Sequence, residues 1–203
     1  MKTLVLIDVQ NDFMPGGSLA VTEGDQIVPV INNLQNHFDL VIASQDWHPA
    51  EHLSFARNHL RYKEFDEIEV NGLPQTLWPA HCVQGTAGAE FHPDLDCTRV
   101  AAIFRKGMNP DIDSYSAFYD NGHIQSTGLT GYLREQKANT LYFTGLAADF
   151  CVYFSIKDAV EAGFQCVLIE DATRAIDPDH FKQLKQQLGA DGVKIIQSTE
   201  LGA

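Results

Sequence analysis

Short, unbroken apolar runs alternate along this chain with longer stretches whose apolar positions recur at helical spacing. Thr3 to Asp8, Leu40 to Asp46, Val100 to Arg105, Thr140 to Thr144, Phe164 to Glu170 and Val193 to Gln197 read as strands. Asp25 to Phe38, Thr127 to Gln136, Asp149 to Ala162 and Pro178 to Leu188 read as helices, the last with Asp177 as cap ahead of Pro178. Runs such as Leu4-Val5-Leu6-Ile7 and Val167-Leu168-Ile169 do not alternate with polar residues, as expected of parallel strands covered on both faces. The expected architecture is therefore α/β, a three-layer α/β/α sandwich around a mostly parallel six-stranded sheet.

In such sheets ligands lie beyond the carboxyl ends of the strands. Asp8, Asp46, Arg105-Lys106 and Gly145 all end candidate strands, which gathers polar chemistry at one edge. The pattern fails over residues 47–98, a loop-rich insertion punctuated by Gly72, Pro74, Pro79, Gly85, Gly88 and Pro93. Long irregular segments in compact domains are usually functional or disordered. This one holds His48, His52, His59, His81 and both tryptophans, which speaks against disorder.

At 203 residues with 44% hydrophobic content, the chain has ample material for one continuous core, so a single domain over 1–203 is expected. A net charge of -13 argues against nucleic acid as a partner, since phosphate binding needs clustered Lys and Arg. The start Met1-Lys2-Thr3 runs straight into a strand pattern interrupted by Asp8, too short for a signal-peptide core, and no run is long enough to span a bilayer. A cytoplasmic protein without a membrane partner is the expectation. The cysteines at 82, 97, 151 and 166 form no C-x-x-C pair and no dense framework, so reduced thiols are expected, with Cys97 and Cys166 in or near the core.

Cys151 stands apart, because it follows the turn Gly145-Leu146-Ala147-Ala148-Asp149 between a strand and a helix pattern. A thiol in the first turn of a helix meets the positive end of the helix dipole, which favours a nucleophilic thiolate. The small-residue turn brings backbone N–H groups near that thiol, where they suit an oxyanion. Asp8 is a candidate general base, with Asp12 as the competing carboxylate. Lys106, next to Gly107, is a candidate for holding a carboxylate and a thiolate ionised. Spacing alone does not join residues 8, 106 and 151.

Asp46-Trp47-His48 places a carboxylate and an imidazole on one face of an extended chain, so one ion can touch both. That pair suits zinc, iron or manganese and needs a further ligand, with His81 and His52 as nearest candidates. No Walker A, G-x-G-x-x-G or G-x-S-x-G pattern is present.

In order, Leu6 to Phe13, Ala43 to Pro49, Trp78 to Val83, Arg105-Lys106-Gly107 with Ser114 to Phe118, and Gly145 to Val152 resemble the nicotinamidase/pyrazinamidase branch of the isochorismatase-like cysteine hydrolases over almost the whole chain. The resemblance implies a catalytic triad of Asp8, Lys106 and Cys151. It also implies one divalent metal, commonly zinc, held by Asp46, His48 and His81, with His52 as a ligand in some members. It further implies an aromatic slot of Phe13, Trp78 and Tyr115, and a cis peptide before Ala147 that aims the Ala147 and Cys151 N–H groups. The implied activity is hydrolysis of nicotinamide to nicotinate and ammonia, with pyrazinamide as a surrogate. Ala148 and Phe150 depart from the Thr and the His or Tyr of many relatives. Competing readings are a carbamoyl or ureido amidohydrolase of the same superfamily, a heterocycle-binding protein without turnover, and a sensor thiol; the sequence leaves homo-oligomerisation open.

Overall fold

Six strands, all parallel, form the centre of the protein in the computed structural model, which describes residues 1–202. They are β1 (Lys2–Ile7), β2 (Leu40–Asp46), β5 (Val100–Lys106), β6 (Thr140–Gly145), β7 (Gln165–Thr173) and β8 (Lys194–Ile196), in the order β5-β2-β1-β6-β7-β8. The chain winds outward from β1 through β2 to β5, then returns to the other side of β1 and continues through β6, β7 and β8. Strand order therefore reverses between β1 and β6, and a crevice opens at such a switch point beyond the strand ends.

The period-two pleat sorts the apolar runs onto two faces. Val5, Ile7, Ile42, Phe143 and Leu168 pack against Leu129 and Leu133 of α2 (Leu129–Glu135), Ile156 and Ala159 of α3 (Tyr153–Glu161), and Phe181, Leu184 and Leu188 of α4 (Pro178–Ala190). Leu4, Leu6, Val41, Ala43 and Ile169 pack on the other side against Ile27, Val28, Ile31 and Leu34 of α1 (Ile27–Leu34). Phe13, Met14, Leu19, Trp78 and Leu95, all from loops, complete that second layer. The expected α/β/α sandwich is present, with one outer layer only part helix.

Asp177 caps α4 as expected, its Oδ1 accepting from the N–H groups of Asp179 and His180 at 3.0 Å each. The first expected helix is shorter than its pattern, because 3-10 turns at Gly24–Gln26 and Gln35–His37 flank α1 and Phe38 is extended. The third opens not as an α-helix but as a π-helical turn, Ala148–Val152, where the Val152 N–H reaches back five residues to the Ala147 carbonyl at 3.1 Å.

Residues 47–98 are less irregular than their composition suggests. β3 (Glu67–Val70) and β4 (Leu73–Thr76) form an antiparallel hairpin. Its two-residue turn, Asn71-Gly72, has φ of 54° and 80°, the left-handed pair that a type I′ turn requires. Cys97, expected near the core, is exposed, because the chain becomes strand only at Val100. Among the described residues no helix is long and apolar enough to cross a membrane.

Candidate active site

Four strand ends supply the polar groups that converge at the switch point. Asp8 leaves β1 in a left-handed conformation (φ 48°) that turns its carboxylate into the fully buried space between β1 and its neighbours. Its Oδ1 accepts from the Ser44 hydroxyl at 2.6 Å, and its Oδ2 lies 3.0 Å from Lys106 Nζ. Lys106 ends the edge strand β5, yet it is 2% exposed, because its stem reaches inward across β2. Its ammonium also donates to Asp46 Oδ1 at 3.0 Å and the Ser114 carbonyl at 2.9 Å, and lies 3.5 Å from Cys151 Sγ. The expected trio of Asp8, Lys106 and Cys151 is thus in mutual contact, which spacing along the chain could not show.

The electrostatics of this trio differ from the expectation for the thiol. Burial pushes the Cys151 thiol well above its ordinary range, and the nearby Asp8 and Asp46 carboxylates add to this against the attraction of Lys106. Loss of water and two buried anions work against the thiolate, in the opposite direction to a helix N-terminus. Burial likewise raises Asp8, assisted by Asp46 and opposed by Lys106 and Ser44. Burial would lower Lys106, but Asp46 and Asp8 outweigh it and hold the ammonium charged, well above its usual value. A carboxylate of raised basicity therefore sits beside a thiol that needs its proton removed.

Asp12, the competing carboxylate, is engaged elsewhere. Its Oδ2 accepts from the Cys82 N–H at 2.7 Å and its Oδ1 from the Ser18 N–H at 3.2 Å, which ties down the turn that carries His81.

Asp46, His48 and His81, all buried, offer ligand atoms that lie within 4.8 Å of one another. His48 Nδ1 lies 2.9 Å from the Gly107 carbonyl and His81 Nδ1 lies 2.8 Å from the Pro79 carbonyl. A carbonyl only accepts, so both Nδ1 atoms carry hydrogen, and each ring when neutral has its lone pair on Nε2. Those lone pairs face Asp46 Oδ2, at 2.8 Å from His48 and 3.4 Å from His81. Three electron-rich atoms brought this close call for a cation among them. Burial would lower His48, but Asp46 overrides it and raises the ring's proton affinity. Burial also works against ionised Asp46, yet the charges of His48 and Lys106 hold it well below the usual carboxylate range. One carboxylate and two imidazoles, each ring oriented by a backbone acceptor, fit a divalent metal such as zinc.

Gly107 makes this approach feasible: at φ 65°, a Cβ here would run into the His48 ring. His52 lies outside the convergent set. Its Nδ1 is 2.7 Å from Ser54 Oγ, its Nε2 is 3.3 Å from the Ile112 carbonyl, and its ring packs 4.2 Å from that of His48. Burial and the neighbouring His48 push its pKa down to about 4, and its ligand atom still lies close to those of His48 and Asp113.

One slot reaches both centres. Phe13, Trp78 and Tyr115 line it as expected, together with Leu19, Phe150 and Ile176, and it is also bordered by Cys151, Ala147, His81, Asp46, Asp113 and Ser114. Trp78 and Phe150 meet edge to face at 4.8 Å, and Tyr115 meets Phe150 at 5.5 Å, so packed aromatic rings wall a narrow, largely apolar space. The Leu146–Ala147 peptide is cis. Among the described residues the Ala147 N–H, at the slot wall, has no hydrogen-bond acceptor.

Several contributors were not singled out from sequence. Ser44 shares its β2 face with Asp46, a period-two relation that was available. Gln10 was visible only as part of a motif, yet its amide clamps Asp46 from both sides, donating to the Asp46 carbonyl and accepting from the Asp46 N–H, each at 2.8 Å. Leu19 and Ile176 carried no local signal, since loops bring them to the slot.

Comparison with known proteins places this arrangement. The model of the isochorismatase domain family matches residues 2–200. The nicotinamidase of Acinetobacter baylyi is 48% identical over 98% of this chain and 93% of its own length. Among solved structures, an Acinetobacter baumanii nicotinamidase/pyrazinamidase superposes with a TM-score of 0.96 at 49% identity, covering 98% of this chain and 97% of the other. The PnC1 protein of L. infantum, solved in complex with nicotinate, gives 0.87 at 38% identity over 98% and 93% of the two chains. A Pyrococcus horikoshii pyrazinamidase solved in complex with zinc gives 0.80 at 34% identity over 97% and 98%. Fold, full-length coverage and identity agree, and the chain belongs to the isochorismatase family, in its nicotinamidase branch.

Proposed function

We propose that this chain is a cytoplasmic nicotinamidase that hydrolyses nicotinamide to nicotinate and ammonia and also accepts pyrazinamide. The observation that carries this reading is that a thiol, a basic carboxylate and a convergent Asp/His/His set open onto one flat aromatic slot. The names of the full-length relatives support the substrate. The free cysteines agree with a reducing compartment.

Aromatic walls from Phe13, Trp78, Tyr115 and Phe150 hold the ring, and its carboxamide lies against Cys151 and Ala147. Asp46, His48 and His81 would hold a divalent metal, zinc by donor type, which when bound supplies a Lewis acid for a ring nitrogen and so orients the substrate. Asp8 accepts the Cys151 proton as sulfur attacks the carboxamide carbon, and Lys106 offsets the charge developing on sulfur. The N–H groups of Ala147 and Cys151 receive the oxyanion. Asp8 then passes its proton to the nitrogen, the C–N bond breaks and ammonia leaves a thioester. Water attacks that thioester while Asp8 takes its proton, the C–S bond breaks, and the proton returns to sulfur as nicotinate departs.

Ammonia release from nicotinamide by the metal-loaded protein tests the reading, with Cys151→Ala in the same assay. Release by the wild type alone is expected. A metal-loaded wild type that releases none overturns the substrate, and release that persists in Cys151→Ala overturns the nucleophile.

A further inference from the structure

A second group of metal-binding side chains lies on the far side of the segment that carries Ser114 and Tyr115. Beyond those residues the chain turns back on itself between Tyr119 and Ser126 around the Asp120 carboxylate, which accepts from the N–H groups of Gly122, Ile124 and Gln125. His123 stands at the tip of this turn with φ 54°, its ring stacked on Tyr119 at 5.1 Å and 19°. Its Nε2 points at α3 and lies 3.1 Å from Asp158 Oδ1. Glu161 is three residues further along α3, on the same helical face. The three side chains offer ligand atoms within 4.8 Å of one another.

Asp158 gives this cluster a reason to take a cation. The residue is 6% exposed, and its Oδ2 is buried without a hydrogen-bond partner. A carboxylate taken from water with one oxygen unsatisfied is costly, and a single imidazole answers only its other oxygen. Burial pushes the Asp158 carboxyl above its ordinary range and the Glu161 charge adds to this, against the opposing Ser116 hydroxyl and His123. One imidazole and two carboxylates form an N/O set suited to zinc, and half-exposed His123 and exposed Glu161 leave room for water to complete the coordination.

The geometry points to a second zinc site formed by His123, Asp158 and Glu161, separate from Asp46, His48 and His81, that pins the Tyr115-bearing segment to α3. Such a clip joins a wall of the slot to the helix that continues from the Cys151 turn, so its bound ion stabilises the fold without touching substrate.

The test counts metal rather than ammonia, so its outcome is independent of the hydrolytic reading. Protein already carrying one metal per chain is equilibrated with zinc chloride, and bound zinc and the unfolding temperature are measured. Wild type is expected to take up a further zinc and to unfold at a higher temperature. His123→Asn, which tolerates the left-handed backbone, and Glu161→Gln are expected to lose both the uptake and the temperature rise while releasing ammonia at the wild-type rate. Both substitutions fall on exposed side chains. The proposal is overturned if wild type takes up no further zinc, or if both variants keep it.

Discussion

Asp8, Lys106 and the Cys151 turn hang directly from strand ends of the main sheet, whereas His48 and His81 lie beyond it, on a segment where backbone carbonyls fix each ring. The first centre inherits its precision from regular parallel pairing, and its chemistry comes from the exclusion of water. The second is assembled by turns, so its precision rests on individual contacts such as Gly107 to His48 and Asp12 to the Cys82 N–H. Loss of a group in the first should stop chemistry in an intact fold, while loss in the second should loosen binding and the local structure together.

The largest effect should come from Cys151→Ala, with ammonia release falling on the order of 10⁴-fold or more while metal content and unfolding temperature stay near wild type. If metal is lost with the thiol, the two centres are not separable. His81→Ala should next weaken metal affinity by more than the about 10–100-fold typical of losing a partner that only orients a ligand, and act mainly through KM, measured by metal analysis beside steady-state kinetics. A kcat effect alone, with metal retained, would remove the division of labour. Gln10→Ala, which strips the amide clamp from the backbone of Asp46, should cost about 1–3 kcal/mol in denaturant unfolding and reduce metal occupancy.

The smallest effect concerns pH. Asp8 works as a base only when ionised, and its pKa is raised, so the acid limb of kcat/KM should lie above the usual carboxylate range. The Ser44 hydroxyl favours the ionised form, hence Ser44→Ala should move that limb to still higher pH. A limb that stays put, or moves to lower pH, would mean that another group titrates there.

The same division decides what could be read in advance. Strands announced themselves as unbroken apolar runs, and the residues ending them located Asp8, Asp46, Lys106 and the Cys151 turn at one edge. The hairpin of β3 and β4 went unread although Asn71-Gly72 is a strong turn signal, because its strands are short, partly exposed and low in apolar content. Choosing between His52 and His81 was beyond spacing: both rings pack against His48, and the Pro79 carbonyl orients His81 with its Nε2 toward Asp46. The surroundings of the thiol escaped the sequence for a different reason. A helix start is legible from sequence, but the depth of burial and the arrival of two carboxylates from distant strands are not.

Among the described residues Lys106 is the sole ammonium shared by the Asp8 and Asp46 carboxylates, and that sharing makes the two centres reciprocal. A proton placed on either acid frees the ammonium to serve the other more strongly, so each site's proton affinity is a property of the pair. A titration followed at one centre will carry the signature of its neighbour, and its inflections will be macroscopic constants of a joint unit rather than of any named residue.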